Sequence, residues 1–224
     1  MHLSVIIPVL NEAAMIERVL QVLHTHRTSG VEVIVVDGGS VDATCALATP
    51  LAGKLLRCSR GRALQMNAGA AASHGDVLLF LHADTLLPPN AGALIGEGLR
   101  MSHRVWGRFD VTIQGKSPML KVIACMMNLR SRITGIATGD QAIFVMREDF
   151  FAVGGFPAQP LMEDIEMSVR LKARSAPLCL RARVVTSGRR WEKNGVWRTI
   201  LLMWSLRLRY WLGTPADKLA RKYQ

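Results

Sequence analysis

Ser4-Val5-Ile6-Ile7-Pro8-Val9-Leu10-Asn11-Glu12 decides the fold class. Residues 4–9 carry no charge and are rich in β-branched side chains, which reads as a strand buried on both faces. Residues 12–26 follow with Met15, Ile16, Val19, Leu20 and Leu23 at helical spacing. The pattern then repeats. Residues 31–36 form a second buried strand ending in Asp37-Gly38-Gly39-Ser40, and a short helix starts near Asp42. Residues 54–57 make a weak third strand and residues 62–73 an Ala-rich helix. Residues 77–81 make a fourth strand ending in His82-Ala83-Asp84, and a further helix runs from Pro88-Pro89-Asn90 to Ser102. Strand–helix alternation of this kind gives a parallel sheet, and such sheets bind ligands beyond the carboxyl ends of their strands. Asn11-Glu12, Asp37-Gly38-Gly39 and His82-Ala83-Asp84 are therefore expected on one edge.

The second half departs from this rhythm. Residues 105–113 read as an antiparallel strand, and residues 118–133 as an apolar helix. Gly139-Asp140-Gln141 precedes a short strand at 142–146. A short helix at 147–153 ends at Gly154-Gly155, and an acid-led helix covers 162–173. A strand at 178–185 and a helix at 194–212 complete the chain. There is no repeat, low-complexity stretch or Pro/Gly/Ser linker. The expectation is an α/β fold in one domain, residues 1–224. Its mainly parallel central sheet is flanked by helices and has a small antiparallel extension, and residues 192–224 form a basic helical extension.

Half of the 224 residues are hydrophobic, enough for a sizeable core and too many for a disordered chain. The formal charge is +11, and nine basic and two acidic residues from Ser187 to Gln224 carry +7 of it. A basic tail on a near-neutral body argues against a nucleic-acid-binding protein, which would interleave aromatic and basic residues along one surface. Only Arg207-Leu208-Arg209-Tyr210-Trp211 approaches that pattern. Cys45, Cys58, Cys125 and Cys179 are widely spaced and read as free thiols of a reducing cytoplasm. The first eight residues do not make a secretory leader. No stretch reaches the ~18 uninterrupted apolar residues of a spanning helix.

Five clusters could carry chemistry. Asp37-Gly38-Gly39-Ser40-Val41-Asp42 either caps a helix or brings backbone and carboxylate to a nucleoside. His82-Ala83-Asp84-Thr85 is either a solvated loop or a divalent-cation site, with Asp84 a hard oxygen ligand suited to Mg²⁺ or Mn²⁺ on a diphosphate. Glu163-Asp164-Ile165-Glu166 either complements a helix N-terminus or supplies a general base. Arg60-Gly61-Arg62 with Gln65 and Asn67 suits phosphates. Arg189-Arg190-Trp191 either faces solvent or offsets a leaving diphosphate.

In this order the clusters resemble the family 2 glycosyltransferases. Residues 4–12 are similar to that family's opening signature, and the likeness runs to Trp191. The resemblance implies a GT-A fold of the nucleotide-diphospho-sugar transferase type. It also implies an inverting hexosyltransferase that moves a sugar from a UDP- or GDP-type donor to an acceptor hydroxyl with Mg²⁺ or Mn²⁺. Asp164 would be the base and Asp84 the metal ligand, with His82 beside it where many relatives carry Asp. Pro8, Asn11, Glu12, Asp37, Gly39, Arg62, Gln65, Ala83 and Arg190 would serve the donor. Gly139, Asp140, Gln141, Glu163 and Trp191 would face the acceptor. Arg190-Trp191 resembles the end of the family's Gln-x-x-Arg-Trp segment, with Ser187 in place of the Gln. Residues 61–70 and 139–144 resemble a small bacterial subgroup labelled radical-SAM/selenodomain-associated transferase 2. The rival enzyme, a sugar-1-phosphate nucleotidyltransferase, wants a Gly-rich phosphate loop with a Lys after the first strand, and Asn11-Glu12-Ala13 is not that loop.

The C-terminal stretch mixes Trp197, Trp204, Tyr210 and Trp211 with Arg198, Arg207 and Arg209, a composition that suits a membrane interface. On a helical projection Arg207 falls among apolar residues and spoils a clean amphipathic face. The expectation is a cytoplasmic protein in peripheral contact with the inner membrane face, acting on an acceptor that includes lipid-linked candidates. The rival is a helix packed on the catalytic domain or on a second subunit.

Overall fold

The computed structural model describes residues 1–27 and 30–223, the side chains of 25–27 aside. The parallel half forms as its sequence predicts. Strand β1 (Leu3–Val9) lies between β2 (Glu32–Asp37) and β4 (Val77–Phe80), and β3 (Lys54–Arg57) adds to β2, all parallel. Helices α1 (Ala13–Arg27), α2 (Thr44–Ala48) and α3 (Arg62–Ala71) make the crossovers. Alternation along β1 feeds two cores. Val5, Ile7 and Val9 point into one, with Val19, Leu20 and Leu23 of α1. Ile6 points into the other, with Ala63, Met66 and Ala70 of α3. Helix α3 sits so close to the sheet that a Cβ on Gly69 would lie 2.4 Å from Ile6 Cγ2, so the position excludes any side chain.

Beyond β4 the sheet continues through β7 (Phe144–Met146), β6 (Trp106–Gln114), β8 (Leu178–Ser187) and β5 (Thr85–Leu86), giving the order β3-β2-β1-β4-β7-β6-β8-β5. Residues 105–113, read from sequence as antiparallel, prove to be mixed. Strand β6 runs antiparallel to β7 and parallel to β8 along most of its length. The antiparallel members are the two short strands β7 and β5. Only pairing partners fix direction, and those lie about 40 residues (β7) and about 70 residues (β8) away in sequence, where alternation carries no information.

Helices α4 (Ala91–Ser102) and α5 (Met119–Thr134) flank this half. Helix α5 is pinned to β6 by a buried polar cluster. Arg108 pairs with Asp110, and its Nε and Nη2 donate to Ser131 Oγ and the Asn128 carbonyl at 3.1 Å each. Asn128 in turn holds both the N–H (2.8 Å) and the carbonyl (3.0 Å) of Val111. A single turn of 3-10 helix (Gly139–Gln141), α6 (Arg147–Ala152) and α7 (Glu163–Lys172) lead to β8. The helix expected at 194–212 is α9 (Val196–Trp211); a short α8 (Arg189–Asn194) precedes it across Gly195, and α10 (Ala216–Tyr223) follows. Leu206 and Leu219 anchor α9 and α10 against Leu161 and Met162. All four cysteines are free.

Candidate active site

The three strand-end clusters meet on one edge. Val9 and Asp37 are register partners at the ends of β1 and β2, and the Gly38 N–H donates to the Val9 carbonyl at 3.0 Å. The turns after the two strands are laced together. The Asn11 N–H reaches Ser40 Oγ (2.9 Å), the Val41 N–H reaches Asn11 Oδ1 (2.9 Å), and the Glu12 N–H reaches Thr44 Oγ1 (2.8 Å). Asn11 adopts a left-handed conformation (φ 53°), which Asn tolerates better than most residues. Gln65 is buried, and its amide nitrogen donates to the Val9 and Val36 carbonyls at 2.8 Å each. Gln65 thus ties the strand ends together.

Asp37 is also buried, and its carboxylate accepts the N–H groups of Gly39 (3.1 Å) and Ser40 (3.0 Å). Burial works to raise its pKa, yet hydrogen bonds from Ser40, Cys45 and Gly39 outweigh it and hold the carboxyl below its ordinary value. Asp37 thus has a visible structural task, capping its own turn. Gly39 is exposed at the tip, and Pro8 lies in the last turn of β1 before Val9.

His82 and Asp84 flank buried Ala83 in a turn, with the Thr85 N–H donating to the His82 carbonyl at 3.1 Å. Asp84 Oδ2 lies 3.5 Å from Arg189, whose same nitrogen sits 2.9 Å from Glu12 Oε2. Arg189 therefore joins the turn after β1 to the loop after β4. The sequence reading carried Arg190 into the site and passed over Arg189. His82 Nδ1 lies 3.2 Å from Asp140 Oδ1. A Cβ on Gly139 would sit 2.2 Å from His82 Nε2, so only glycine permits this contact.

The acid-led helix meets the 3-10 turn. Met162, buried and left-handed (φ 65°), turns the chain into α7 so that Glu163 and Asp164 open the helix. Asp164 Oδ2 accepts the Gly139 N–H at 3.0 Å, and Oδ1 accepts the Ile165 N–H at 2.8 Å. Arg62, first residue of α3, reaches Glu163 Oε1 at 3.4 Å while about half of its side chain (48%) stays accessible. Burial and the adjacent Asp164 push the Glu163 carboxyl above its ordinary value, against the pull of Arg62. Asp140 is held low, where the His82 hydrogen bond and the charges of His82, Arg62 and Arg207 overcome desolvation. Gln141 is fully buried, and its Oε1 receives the Thr138 N–H at 3.3 Å, so it shapes the 3-10 turn.

Arg62, His82, Gly139, Glu163 and Asp164 line one small cavity of about 10 Å³. A larger surface hollow of about 640 Å³ lies elsewhere, and its cations are engaged: Lys172 with the Thr134 carbonyl and Arg132 with Asp110. Trp191 is half-buried against the first core. Arg190 lies under the Tyr223 ring, its guanidinium carbon 3.7 Å from the ring centroid, and donates to the Tyr223 hydroxyl and carbonyl. The last turn of α10 thus reaches the cleft, an arrangement with no local signal in the sequence. No group of three His, Cys, Asp or Glu side chains is placed to hold a metal among the described residues.

The C-terminal helix resolves the broken pattern seen in sequence. Trp197, Leu201, Trp204, Leu208 and Trp211 are exposed and recur at three- and four-residue spacing along α9. Arg207 is half-buried and lies off this ridge, while Arg198 and Arg209 are exposed beside it. Helix α5 carries a second exposed apolar row, Val122, Met126, Leu129 and Ile133.

A mainly parallel sheet with acidic and basic side chains gathered past its strand ends defines a GT-A nucleotide-diphospho-sugar transferase fold. The family model for glycosyl transferase family 2 matches residues 4–145, and the chain belongs to that family. No curated protein matches it in sequence. Among solved structures, S. aureus TarS (residues 1–349) is similar over 84% of this chain and 61% of its own, with TM-score 0.68 and 17% identity. A Pyrobaculum calidifontis mannosyltransferase in complex with GDP-Man and Mn²⁺ is similar over 82% of this chain and 56% of its own (TM-score 0.64, 22% identity). Glucosyl-3-phosphoglycerate synthase from Mycobacterium tuberculosis, in complex with Mn²⁺, UDP and glucosyl-3-phosphoglycerate, is similar over 83% of this chain and 70% of its own (TM-score 0.61, 21% identity). The chain thus spans less than two thirds of the first two relatives.

Proposed function

We propose that this chain transfers a sugar from a UDP- or GDP-type donor to an acceptor hydroxyl, with inversion in one displacement. The observation that carries the reading is the convergence of Arg62, His82, Gly139, Glu163 and Asp164 on one cavity, with Asp84 two residues from His82. Asp164 takes the proton of the acceptor hydroxyl. The freed oxygen bonds to the anomeric carbon as the bond from that carbon to the diphosphate oxygen breaks, and the electron pair leaves with the diphosphate. Backbone donation from Gly139 and Ile165 fixes both oxygens of Asp164, so the base is held in one orientation. Arg62, and Arg190 once Tyr223 releases it, offset the charge of the departing diphosphate. Asn11, Glu12 and the turn capped by Asp37 receive the nucleoside.

The donor set fits a divalent cation only in part. Asp84 offers one hard oxygen, which suits Mg²⁺ or Mn²⁺ completed by substrate phosphates, whereas His82 is committed to Asp140. Asp84 would hold the ion, which supplies charge neutralisation at the diphosphate; Arg189 faces the same carboxylate and would have to yield part of it. The glycosyltransferase structures solved with Mn²⁺ support this assignment. The segments 61–70 and 139–144 support membership of the radical-SAM/selenodomain-associated transferase 2 subgroup.

We also place the reaction at the cytoplasmic face of a membrane, with the chain bound peripherally to anionic lipid through α9. An exposed ridge of three Trp and two Leu flanked by Arg198 and Arg209 supports this, since indole rings settle at headgroup depth and guanidinium groups meet lipid phosphate. No helix among the described residues is long and apolar enough to cross a membrane.

The deciding experiment screens nucleotide sugars with Mn²⁺ by thermal unfolding, then measures transfer with wild type and Asp164→Asn. Donor binding should survive the substitution while transfer falls by about 10²–10⁴-fold, the usual general-base contribution. Wild-type transfer by Asp164→Asn would place the base elsewhere.

A further inference from the structure

Most cations around the cleft have acidic partners: Arg62 has Glu163, His82 has Asp140, and Arg189 has Glu12 and Asp84. Arg130 of α5 and Arg207 of α9 form no ion pair with a carboxylate among the described residues. Arg130 has more to account for, because its Nε and Nη2 atoms are buried with no hydrogen-bond partner. Desolvation and the like charges of Arg207 and Arg108 lower its pKa to about 10, and Asp164 acts in the other direction. Buried donors without acceptors are uncommon in folded chains, and the like charge of Arg207 makes the arrangement costlier. Leu206, next to Arg207, packs with Leu161 and Met162 immediately before the Glu163–Asp164 pair, which brings this part of α9 to the start of α7. An entering oxyanion accounts for the pair, because it accepts the orphan N–H groups and separates the like charges.

We propose that Arg130 and Arg207 form an anion subsite on the acceptor side of Asp164, and that the acceptor carries a phosphate or carboxylate near the hydroxyl that receives the sugar. The proposal rests on reading Asp164 as the base. It sets these two arginines apart from Arg62 and Arg190, assigned above to the leaving diphosphate. The anionic group would also fix the acceptor's orientation, as bidentate contacts to planar guanidinium groups do.

The test titrates inorganic phosphate into wild type, Arg130→Gln, Arg207→Gln and Arg100→Gln at low ionic strength by calorimetry, with circular dichroism as a fold control. Arg130→Gln and Arg207→Gln should each weaken phosphate binding by about ten- to a hundredfold, the range for hydrogen bonds to charged groups, while Arg100→Gln, exposed in the last turn of α4, leaves it near the wild-type value. Arg207→Gln, half-exposed, keeps the test open should Arg130→Gln fail to fold. Phosphate affinity unchanged in Arg207→Gln would overturn the proposal. Displacement of bound phosphate by glycerol 3-phosphate supports the subsite with a soluble acceptor, and displacement only by phosphatidate vesicles supports it with a lipid one. Binding that neither displaces would be an adventitious ion only and would overturn the proposal. Asp164→Asn should bind phosphate at least as tightly as wild type, since it removes a negative charge near the subsite. Failed transfer with intact phosphate binding therefore sinks the reaction assignment, and the reverse outcome sinks the subsite.

Discussion

Gly139→Ala should break the cleft through a single steric contact. The new Cβ would lie 2.2 Å from His82 Nε2 and 2.6 Å from its Cε1. The imidazole must retreat by about 1 Å or more to reach ordinary contact, which pulls it from Asp140. Overpacking of this kind costs about 1–3 kcal/mol. Most of that cost should vanish when His82 is already Ala, because the clashing atoms are gone. Urea denaturation of wild type, both single variants and the double variant closes the cycle. The expected coupling energy is about 1–3 kcal/mol, well above the few tenths that independent sites show. Additive costs would mean that the 3-10 turn moves rather than the imidazole, and the reasoning from Gly139 would fail. Transfer activity supplies a second readout: the double variant should regain stability without regaining the His82–Asp140 contact.

Three further outcomes follow from the same geometry. Asp84→Asn should abolish the Mn²⁺ dependence of UDP or GDP binding without unfolding the chain; calorimetry with equal affinities for variant and wild type in Mn²⁺ would remove Asp84 from the metal site. Asp37 and Glu163 should respond to acid in opposite senses. The stabilisation from Asp37 is present above its ordinary pKa of 3.8 and is lost as pH falls through its depressed folded value, so the deficit of Asp37→Asn should fade in acid. Glu163 is raised, so its contribution is full below its ordinary 4.5 and is lost as pH rises through the folded value. Glu163→Gln should then be more stable than wild type at pH 7, with the gain shrinking on acidification; pH-independent differences in melting temperature would contradict both. Wild type should sediment with anionic vesicles at low salt, and Trp204→Ser with Trp211→Ser should not. A concentration-dependent dimer that disperses in the same variant, with no lipid binding, would assign the ridge to a second copy.

The parallel half was legible because its period and its punctuation agree. Apolar runs marked β1, β2 and β4 to within a residue or two, and each ends in the polar cluster that topology brings to one edge. The second half was less legible for a physical reason: the direction of β6 depends on Leu178 and Cys179 pairing with Gly107 and Arg108, far along the chain. In the site, Asp164, Glu163 and Arg62 line one cavity, and Asp140 pairs with His82 beside it. Gln65 and Asp37 turn out to be engaged in holding the strand ends and turns. His82 and Asp84 sit in a tight turn and take different partners, Asp140 and Arg189. Arg189 was within reach of the sequence reading, since it stands in a quoted cluster, but nothing local distinguishes it from Arg190. Tyr223 and the Arg130–Arg207 pair depend on how α9 and α10 dock, which no short window encodes.

The site is held by contacts between distant parts of the chain. Arg189 and Glu12 are 177 positions apart, and Arg62 and Glu163 are 101. Closing such loops adds little to the equilibrium free energy, because the entropy grows only with the logarithm of length. It does set a sequence in time, since long-range pairings form slowly and after local ones. A refolding chain should therefore protect the amides of β1, β2 and β4 before it acquires a working cleft. In the native state the same ordering runs backwards. Fraying of α10 would free Arg190 while the parallel strands stay intact, so the cleft can open and close on a faster clock than the sheet beneath it.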